Sequence, residues 1–284
     1  MTDVKQRPSW LKALGSAEPP KAVQIDQIEY RLIEVYKHDS WAATAQYQSF
    51  VDAAVDQQPP KKIICKFNRR SNCFGIPLSW VGRTLAARES SAYSTLAELD
   101  VVPSALGDVY ADGRILSNAF AHEFVEGHPL GEDERPQDEF FPSLQNALSA
   151  MHELGVVYMD LHKRENILVG ADGLPKLVDF QISFQHRPRG WLAVGPGRWL
   201  RDILRKSDLF CFEKHVRRLR PDQAETLGVP LSTEPPWWIR AHRMIAVPFR
   251  QSRRRLLSWL RVRDRSGRCR SELFAEHAFR EPLP

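Results

Sequence analysis

The chain has 284 residues, of which 43% are hydrophobic and 26% charged, and its formal net charge is +5. A chain of this length and composition buries a sizeable core by itself, as one bilobed domain or two small ones. No apolar run approaches the length of a membrane span, and the start MTDVKQRPSWLK lacks the apolar stretch of a signal peptide. We therefore expect a globular protein without a transmembrane segment.

The cysteines show no CxxC pair and are too sparse for a disulfide framework, so reduced thiols are expected. They are Cys65, Cys73, Cys211 and Cys269. Reduced thiols favour a cytoplasmic location.

The positive charge is concentrated towards the C-terminus. Residues 201–284 hold 19 Lys and Arg against 10 Asp and Glu, whereas residues 1–200 hold 21 against 25. Such a run is typical of solvated helix faces, and also of a surface that meets phosphate, anionic lipid or nucleic acid. Residues 237–270, with WWIRAHR and FRQSRRRLLSWLRVRDR, predict basic helical structure. Packing of its apolar side chains onto the rest of the chain is favoured over an anionic partner, and nucleic acid is the least favoured one.

The first half of the chain predicts several strands and one helix. Residues 1–24 contain three prolines without periodicity, and we interpret them as a flexible leader. From Ile25 onwards, IDQIEYRLIEVY and KHDSWAATAQYQSFV predict a strand, a turn and a strand, and KKIICKFN predicts another strand. Residues 82–99 predict an amphipathic helix on which Glu89 could face inward. Two further strands are expected around the Asp112-Gly113 turn.

The second half predicts a capped helix, a strand and a hairpin. Pro142 suits a first helical turn, and an apolar series at helical spacing runs from Leu144 to Leu154 until Gly155 ends it. VVYM then predicts a strand, and ILVGADGLPKLVDF predicts a hairpin. Short helical pieces such as SDLFCFEKHVRRL follow within residues 182–236. The whole pattern indicates an α+β fold.

The stretch DLHKRENILVGADGLPKLVDFQ places Asp160, Asn166 and Asp179 at the ends of predicted strands. Lys66 on a strand and Glu89 on a helix add two further polar groups. A phosphoryl transfer enzyme needs a Lys and a metal for the nucleotide phosphates and a carboxylate near the acceptor hydroxyl. Taken singly, these residues are ordinary turn residues or members of surface ion pairs. Their order along the chain favours a phosphotransferase.

With these motifs, the chain over residues 25–220 resembles the protein-kinase-like superfamily. It is most similar to the atypical bacterial branches, namely the lipopolysaccharide core and Kdo kinases, the RIO kinases and the aminoglycoside phosphotransferases. The resemblance implies a bilobal fold with a small β-rich N-lobe over residues 25–126 and a larger, mainly helical C-lobe over residues 127–236. Residues 237–284 are then a basic helical extension packed on the C-lobe.

The resemblance also implies a role for each motif residue, with ATP and Mg²⁺ as the bound groups. Lys66 is expected to bind the α- and β-phosphates, with Glu89 as its partner. Asp160 is expected to orient the acceptor, and Asn166 and Asp179, which are 13 positions apart, to bind the metal. The residues expected around the adenine are Ile64 above it, Leu168 below it, the backbone of Glu123 and Val125, and His122 as the gatekeeper.

Several positions depart from the family pattern. Six positions separate Asp160 from Asn166, where the family usually has five. The glycine-rich phosphate loop is replaced by HDSWAAT, which predicts a weaker grip on the nucleotide, and the family's DFG glycine is replaced by Gln181, which predicts little conformational switching. Met159 stands where protein kinases carry an Arg, and no APE-like anchor follows Gln181. These departures favour a non-protein acceptor.

The resemblance and these departures lead to three functional hypotheses. The first is an ATP- and Mg-dependent phosphotransferase that acts on a hydroxyl of a lipopolysaccharide, glycolipid or other non-protein acceptor, peripheral to the inner face of the membrane. The second is an atypical protein serine/threonine kinase. The third is a pseudokinase that serves as a binding or scaffold module, which the missing glycines favour and the intact motif residues oppose.

Overall fold

The structure is a computed structural model that describes residues 8–50, 61–72, 76–185 and 196–230. It is a mixed α+β fold with a curled antiparallel sheet and three helices. The chain divides into two compact units. The described residues of the first are 8–50, 61–72, 76–91 and 104–124, and those of the second are 92–103, 125–185 and 196–230.

The first unit is built on a seven-stranded sheet in the order β6-β5-β1-β2-β3-β4-β7, in which every neighbouring pair is antiparallel. Its strands are β1 (Ala22–Ile25), β2 (Ile28–His38), β3 (Ala42–Ser49), β4 (Lys62–Asn68), β5 (Tyr110–Ala111), β6 (Arg114–Ile115) and β7 (Ala119–Glu123). The strand predicted over IDQIEYRLIEVY is divided by a turn at Asp26 and Gln27 into the end of β1 and most of β2. The strands predicted in KKIICKFN and around the Asp112-Gly113 turn are confirmed.

One face of this sheet carries the core of the first unit. Strand side chains alternate between faces, so every second residue of a half-buried strand is apolar. The core residues are Leu14, Val23, Ile25, Tyr30, Ala43, Ala45, Tyr47, Ile63, Cys65, Phe67, Val109 and Ala121.

Burial raises the pKa of the Cys65 thiol. Cys65 and Cys211 are free, and Cys73 and Cys269 lie outside the described residues.

The predicted flexible leader is wrong over residues 8–24. A short 3-10 helix covers Ser9–Leu11, and β1 pairs with β2 through a two-residue turn. Asp26 and Gln27 form that turn with φ values of 49° and 67°, a conformation in which the expected residues are Asn and Gly. Without a glycine to mark it, the hairpin is not recognisable from the sequence. Leu11 is also buried, which a free leader would not require.

One helix lies partly in each unit along the chain. It is α1 (Ser79–Thr95), and it begins and ends three or four residues before the predicted bounds 82–99. In the first unit its buried positions are Gly82, Ala86 and Glu89, which follow one another at helical spacing. Glu89 therefore lies on the buried side of the helix, as expected from the sequence.

We expect the substitution Gly82→Ala to destabilise the first unit. An added methyl group would lie 2.0 Å from the backbone carbonyl oxygen of Arg69, and the backbone has to move to relieve this overlap. Overpacking of this kind costs about 1–3 kcal/mol, which outweighs the gain of about 1 kcal/mol that Ala normally brings to a helix. Urea unfolding measures the difference. Arg83→Ala, at the exposed next position, is the control, and a Gly82→Ala protein as stable as the wild type would disprove this close packing.

The second unit combines two helices with two small antiparallel sheets of three and two strands, in the orders β11-β10-β8 and β12-β9. Its elements are β8 (Gly127–Pro129), α2 (Phe140–Glu153), β9 (Val156–Val157), β10 (Ile167–Gly170), β11 (Pro175–Leu177), β12 (Phe184–Gln185) and α3 (Pro196–Leu219). The helix and the hairpin of the second half are confirmed. Gly155, with a φ of 80°, follows the C-terminal end of α2, whereas Glu139 at the N-terminal end makes no side-chain capping hydrogen bond. Residues 237–284, with the predicted basic extension, lie outside the described residues.

The predicted strand VVYM is too long by two residues. Only Val156–Val157 is a strand, because the N–H groups of Tyr158 and Met159 donate to the carboxylate of Asp208 on α3.

Across the described part of the chain, no helix combines the length and apolar character that crossing a bilayer requires.

Candidate functional site

In the first unit, Lys66 and Glu89 form a buried ion pair. Lys66 lies between Cys65 and Phe67 on β4, so alternation turns it to the sheet face opposite the core. Its Nζ donates to Oε1 of Glu89 at 3.1 Å, and the two side chains are only 10% and 2% exposed. Burying two charges costs desolvation energy that their attraction barely repays. The structure therefore contains the ion pair that the sequence predicts. A gain in stability does not explain why the pair is buried.

The residues expected around the adenine lie on both sides of the unit boundary. In the first unit, Ile64 pairs in register with His122, and both are buried. Nδ1 of His122 donates to the carbonyl of Glu123 at 2.7 Å, so this carbonyl is already engaged. In the second unit, the Val125 amide forms no hydrogen bond to another described residue. Leu168 is buried on β10, opposite Pro129 and Lys176.

The turn between β2 and β3, which corresponds to HDSWAAT, is closed by its own carboxylate. Oδ1 of Asp39 accepts hydrogen bonds from the amides of Trp41 at 2.7 Å and Ala42 at 2.9 Å, and Oδ2 lies 2.9 Å from Nζ of Lys37. Burial by itself would raise the pKa of Asp39, but the Lys37 charge and the amide hydrogen bonds outweigh it and the pKa is lowered. The turn therefore carries an anionic group.

In the second unit, the carboxylate of Asp160 is buried at 1% exposure and held by two side chains. Its Oδ2 accepts from Nζ of Lys163 at 2.7 Å and from Nδ2 of Asn166 at 2.8 Å. Its Oδ1 accepts no hydrogen bond from the described residues, and Nδ1 of the exposed His162 lies 3.4 Å from it. One carboxylate oxygen is therefore held by two donors, whereas the other is buried without a hydrogen-bond donor among the described residues.

The backbone of the segment around Asp160 is held by helix α3. Asp208 accepts from the Tyr158 amide through Oδ2 and from the Met159 amide through Oδ1, both at 2.8 Å, and Nε2 of His152 lies 3.1 Å from Oδ2. Nε2 of His215, also on α3, donates to the Leu161 carbonyl at 2.8 Å. Anchors therefore lie on both sides of Asp160.

His215 is an uncharged anchor at neutral pH. Burial lowers its pKa, and the positive charges of Lys214, Arg164 and His162 act in the same direction. The hydrogen bond to the Leu161 carbonyl opposes this shift without reversing it. The same charges indicate that basic side chains surround the segment that carries Asp160.

The Tyr158 side chain links this segment to the one that carries Asp179. Its hydroxyl donates to the Val178 carbonyl and approaches the Asn166 carbonyl at 3.4 Å. Burial raises the pKa of the Tyr158 phenol well above its ordinary value, and the carboxylates of Asp179 and Asp160 add to the shift. Asn166 and Asp160 are in contact, and the Tyr158 hydroxyl links their segment to Val178, the residue directly before Asp179.

Two residues in these segments have unusual backbone conformations. Met159 has a φ of 67° and Asp179 a φ of 64°, in the left-handed region that residues other than glycine rarely occupy. Such conformations cost about 1–3 kcal/mol each and concentrate at functional sites. Phe180, which follows Asp179, is fully buried with ring centroids 5.1 Å from Tyr93 and 4.9 Å from Tyr158. This packing fixes the strained Asp179.

The extra residue between Asp160 and Asn166 is absorbed by a short 3-10 helix, Arg164–Asn166. The Asn166 amide donates to the Lys163 carbonyl at 3.2 Å, and the Lys163 amide donates to the Asp160 carbonyl at 3.0 Å. With these two turns formed, Nζ of Lys163 donates to the Asp160 carboxylate and Glu165 is exposed. The longer segment therefore keeps Asp160 and Asn166 in contact.

The residues around Asp160 fit a magnesium ion by their chemistry. Mg²⁺ binds carboxylate and amide oxygens. Nδ2 of Asn166 donates to Asp160, so the amide oxygen is the Asn166 atom that can bind a cation. The Asp179 carboxylate is the second predicted ligand. Among the described residues, no cluster of three or more His, Cys, Asp and Glu side chains is present. A site made of one Asn and one Asp would not produce such a cluster.

Asp208, Tyr158 and His215 are the residues that sequence reasoning missed. The available signal was an acidic residue on the apolar face of a predicted helix, since Asp208 precedes Phe212, Val216 and Leu219 at helical spacing and all four are buried. A buried carboxylate requires hydrogen-bond donors. Which donors Asp208 finds depends on contacts 50 residues away along the chain, which no local pattern contains.

Comparison with known proteins adds no family to this geometry. A scan against protein-family models finds no match, and a search of curated proteins finds none either.

Proposed function

We propose that the protein is an ATP- and Mg-dependent phosphotransferase with a bilobal, protein-kinase-like fold and a hydroxyl acceptor. The observation that carries this proposal is the Asp160 carboxylate, which is buried, fixed through Oδ2 by Lys163 and Asn166, and accepts no hydrogen bond at Oδ1 from the described residues. A buried acceptor atom without a donor costs free energy, and a hydroxyl that donates to Oδ1 would remove this cost.

In the proposed reaction, Oδ1 of Asp160 accepts a hydrogen bond from the hydroxyl group of the acceptor. The hydroxyl oxygen attacks the γ-phosphorus of ATP, the bond between that phosphorus and the β,γ-bridging oxygen breaks, and ADP leaves. The hydroxyl proton passes to Asp160 and then to solvent. Positioning of this kind supplies most of the catalysis in phosphoryl transfer, because little covalent work falls to the protein.

The proposal assigns nucleotide roles to residues of each unit taken by itself. Lys66 binds the α- and β-phosphates and is oriented by Glu89, with which it is already paired. Asn166 and Asp179 would hold Mg²⁺, which when bound would neutralise charge on the phosphate oxygens. Ile64 and Leu168 contact the adenine, and the Val125 amide donates a hydrogen bond to it. The Glu123 carbonyl accepts one with its second lone pair, since His122 takes the first.

The acceptor is best sought among anionic glycolipids and phosphorylated sugars, with a protein Ser or Thr as second choice. The His162 side chain is 56% exposed, and its Nδ1 lies 3.4 Å from Oδ1 of Asp160. Arg164, in the same segment, is half-buried. Basic groups beside the reacting hydroxyl attract an acceptor that carries phosphate or carboxylate. This support comes from charge alone and does not select one sugar or lipid.

A second candidate function is nucleotide binding without transfer, as in a pseudokinase. The Asp39 carboxylate favours it, because it takes up the amides of the turn that would otherwise be available to phosphate and adds a negative charge there. Nucleotide that binds without magnesium and stays unhydrolysed would support this candidate. Binding that requires magnesium, with turnover, supports the phosphotransferase.

The substitution Lys66→Met tests nucleotide binding. It removes the ammonium group and keeps most of the side-chain volume, so we expect the Kd for MgATP to rise by about tenfold or more, as for the loss of a charge-assisted hydrogen bond. Isothermal titration calorimetry on the full chain measures the change. Lys62→Met, at an exposed position on the same strand, is the matched control. Equal affinities for all three proteins would remove Lys66 from the nucleotide site.

A further inference from the structure

Among the described residues of the first unit, three tryptophans from separate segments of the chain are exposed. Trp10 lies in the 3-10 helix, Trp41 at the β2–β3 turn and Trp80 in the first turn of α1. Their exposed fractions are 40%, 48% and 60%. Tryptophan is a costly residue to leave in water, because its large indole surface is mostly apolar.

The buried side chain of Arg69 brings these three segments together. Its Nη2 donates to the Trp10 carbonyl at 3.1 Å, and its backbone amide donates to the Trp41 carbonyl at 2.7 Å. Its own carbonyl lies against Gly82, two residues after Trp80, so closely that a Cβ there would be 2.0 Å away. Arg69 is only 2% exposed, so the three segments that carry the tryptophans meet at one buried residue.

The charges around this point are predominantly positive. Arg70 and Arg83 are exposed, and neither forms an ion pair within the described part of the chain. The nearby carboxylates are already engaged, Asp39 by Lys37 at 2.9 Å and Glu18 by Lys12 at 2.8 Å. The resulting surface combines exposed indoles with two available guanidinium groups.

We propose that this tryptophan surface, made of Trp10, Trp41 and Trp80 with Arg70 and Arg83, binds the headgroup layer of an anionic lipid bilayer. Indole rings favour the boundary between headgroups and acyl chains, where the ring is shielded and its N–H stays hydrogen-bonded. Each basic side chain near an anionic leaflet adds attraction that falls off with the Debye length. Trp41 lies in the turn that corresponds to the phosphate loop, and the other four residues have no role in the proposed nucleotide site, so flotation is measured without nucleotide to keep lipid binding separate from the proposed phosphotransferase activity.

Vesicle flotation with the full chain tests the proposal. The probe is vesicles of phosphatidylcholine and phosphatidylglycerol at about 3:1, compared with vesicles of phosphatidylcholine alone. Wild type is expected to float with the anionic vesicles, and the triple variant Trp10→Ser, Trp41→Ser, Trp80→Ser to partition at least about tenfold less. Trp199→Ser is the matched control, because Trp199 is also 60% exposed but lies on α3 of the second unit.

A charge variant keeps the test decisive if the triple variant folds poorly. Arg70→Glu with Arg83→Glu leaves the indoles in place and is expected to abolish the preference for anionic over neutral vesicles. Thermal unfolding checks that each variant is folded. The proposal is overturned if wild type does not float, if the folded triple variant floats as well as wild type, or if Trp199→Ser causes an equal loss. Binding to a soluble protein without flotation would also overturn it.

Discussion

Replacing Asp160 by asparagine is expected to lower the rate of phosphate transfer by about 10³-fold while the Kd for MgATP changes by less than about threefold. Asparagine has nearly the same shape, so it keeps contact with Lys163 and Asn166, which hold Oδ2 at 2.7 and 2.8 Å. It carries no charge and accepts no proton from the hydroxyl. The loss should therefore appear in kcat far more than in nucleotide binding.

The matched control for this substitution is Glu165→Gln. Glu165 lies in the same segment, but it is exposed and makes no contact with Asp160. Its removal should leave kcat within about twofold, as for a surface substitution. If Asp160→Asn and Glu165→Gln transferred phosphate equally well, Asp160 would have no part in the chemistry.

The substitution Asp208→Ala is expected to lower the free energy of unfolding by about 2–4 kcal/mol and to impair transfer as well. It leaves the Tyr158 and Met159 amides buried without an acceptor, and it releases the left-handed conformation of Met159 directly before Asp160. Urea unfolding and initial rates measure the two effects.

Asp202→Ala provides the comparison on the same helix. Asp202 is half-exposed and, among the described residues, forms an ion pair only with the neighbouring Arg201, so its loss should cost less than about 1 kcal/mol. Asp208→Asn should fall between the two variants, because an amide has a single acceptor oxygen. A stable, active Asp208→Ala protein would mean that α3 does not position the Asp160 segment.

The sequence predicted those elements whose pattern is local. The continuous apolar run in KKIICKFN, which carries Lys66, predicted β4, and the helical spacing of apolar residues predicted α2. The ion pair of Lys66 with Glu89 followed from the same patterns, together with the family resemblance.

Long-range contacts account for what the sequence did not predict. Trp10 and Leu11 are ordered by Arg69, which is 59 and 58 residues away, so their segment resembled a free leader. The β1–β2 turn uses Asp26 and Gln27 at positive φ instead of a glycine. Asp208 stabilises the backbone before Asp160 across 50 residues. Each of these features depends on a partner that only the folded chain brings near.

The central claim is transfer of phosphate to a hydroxyl, and one measurement tests it most directly. The full chain is incubated with magnesium, γ-labelled ATP and a cell extract, and products are identified by mass spectrometry. We predict a labelled compound heavier than its precursor by one phosphoryl group, formed by wild type and Glu165→Gln and absent with Asp160→Asn. Nucleotide that binds but remains unhydrolysed, with no labelled product in any extract fraction, would contradict the claim.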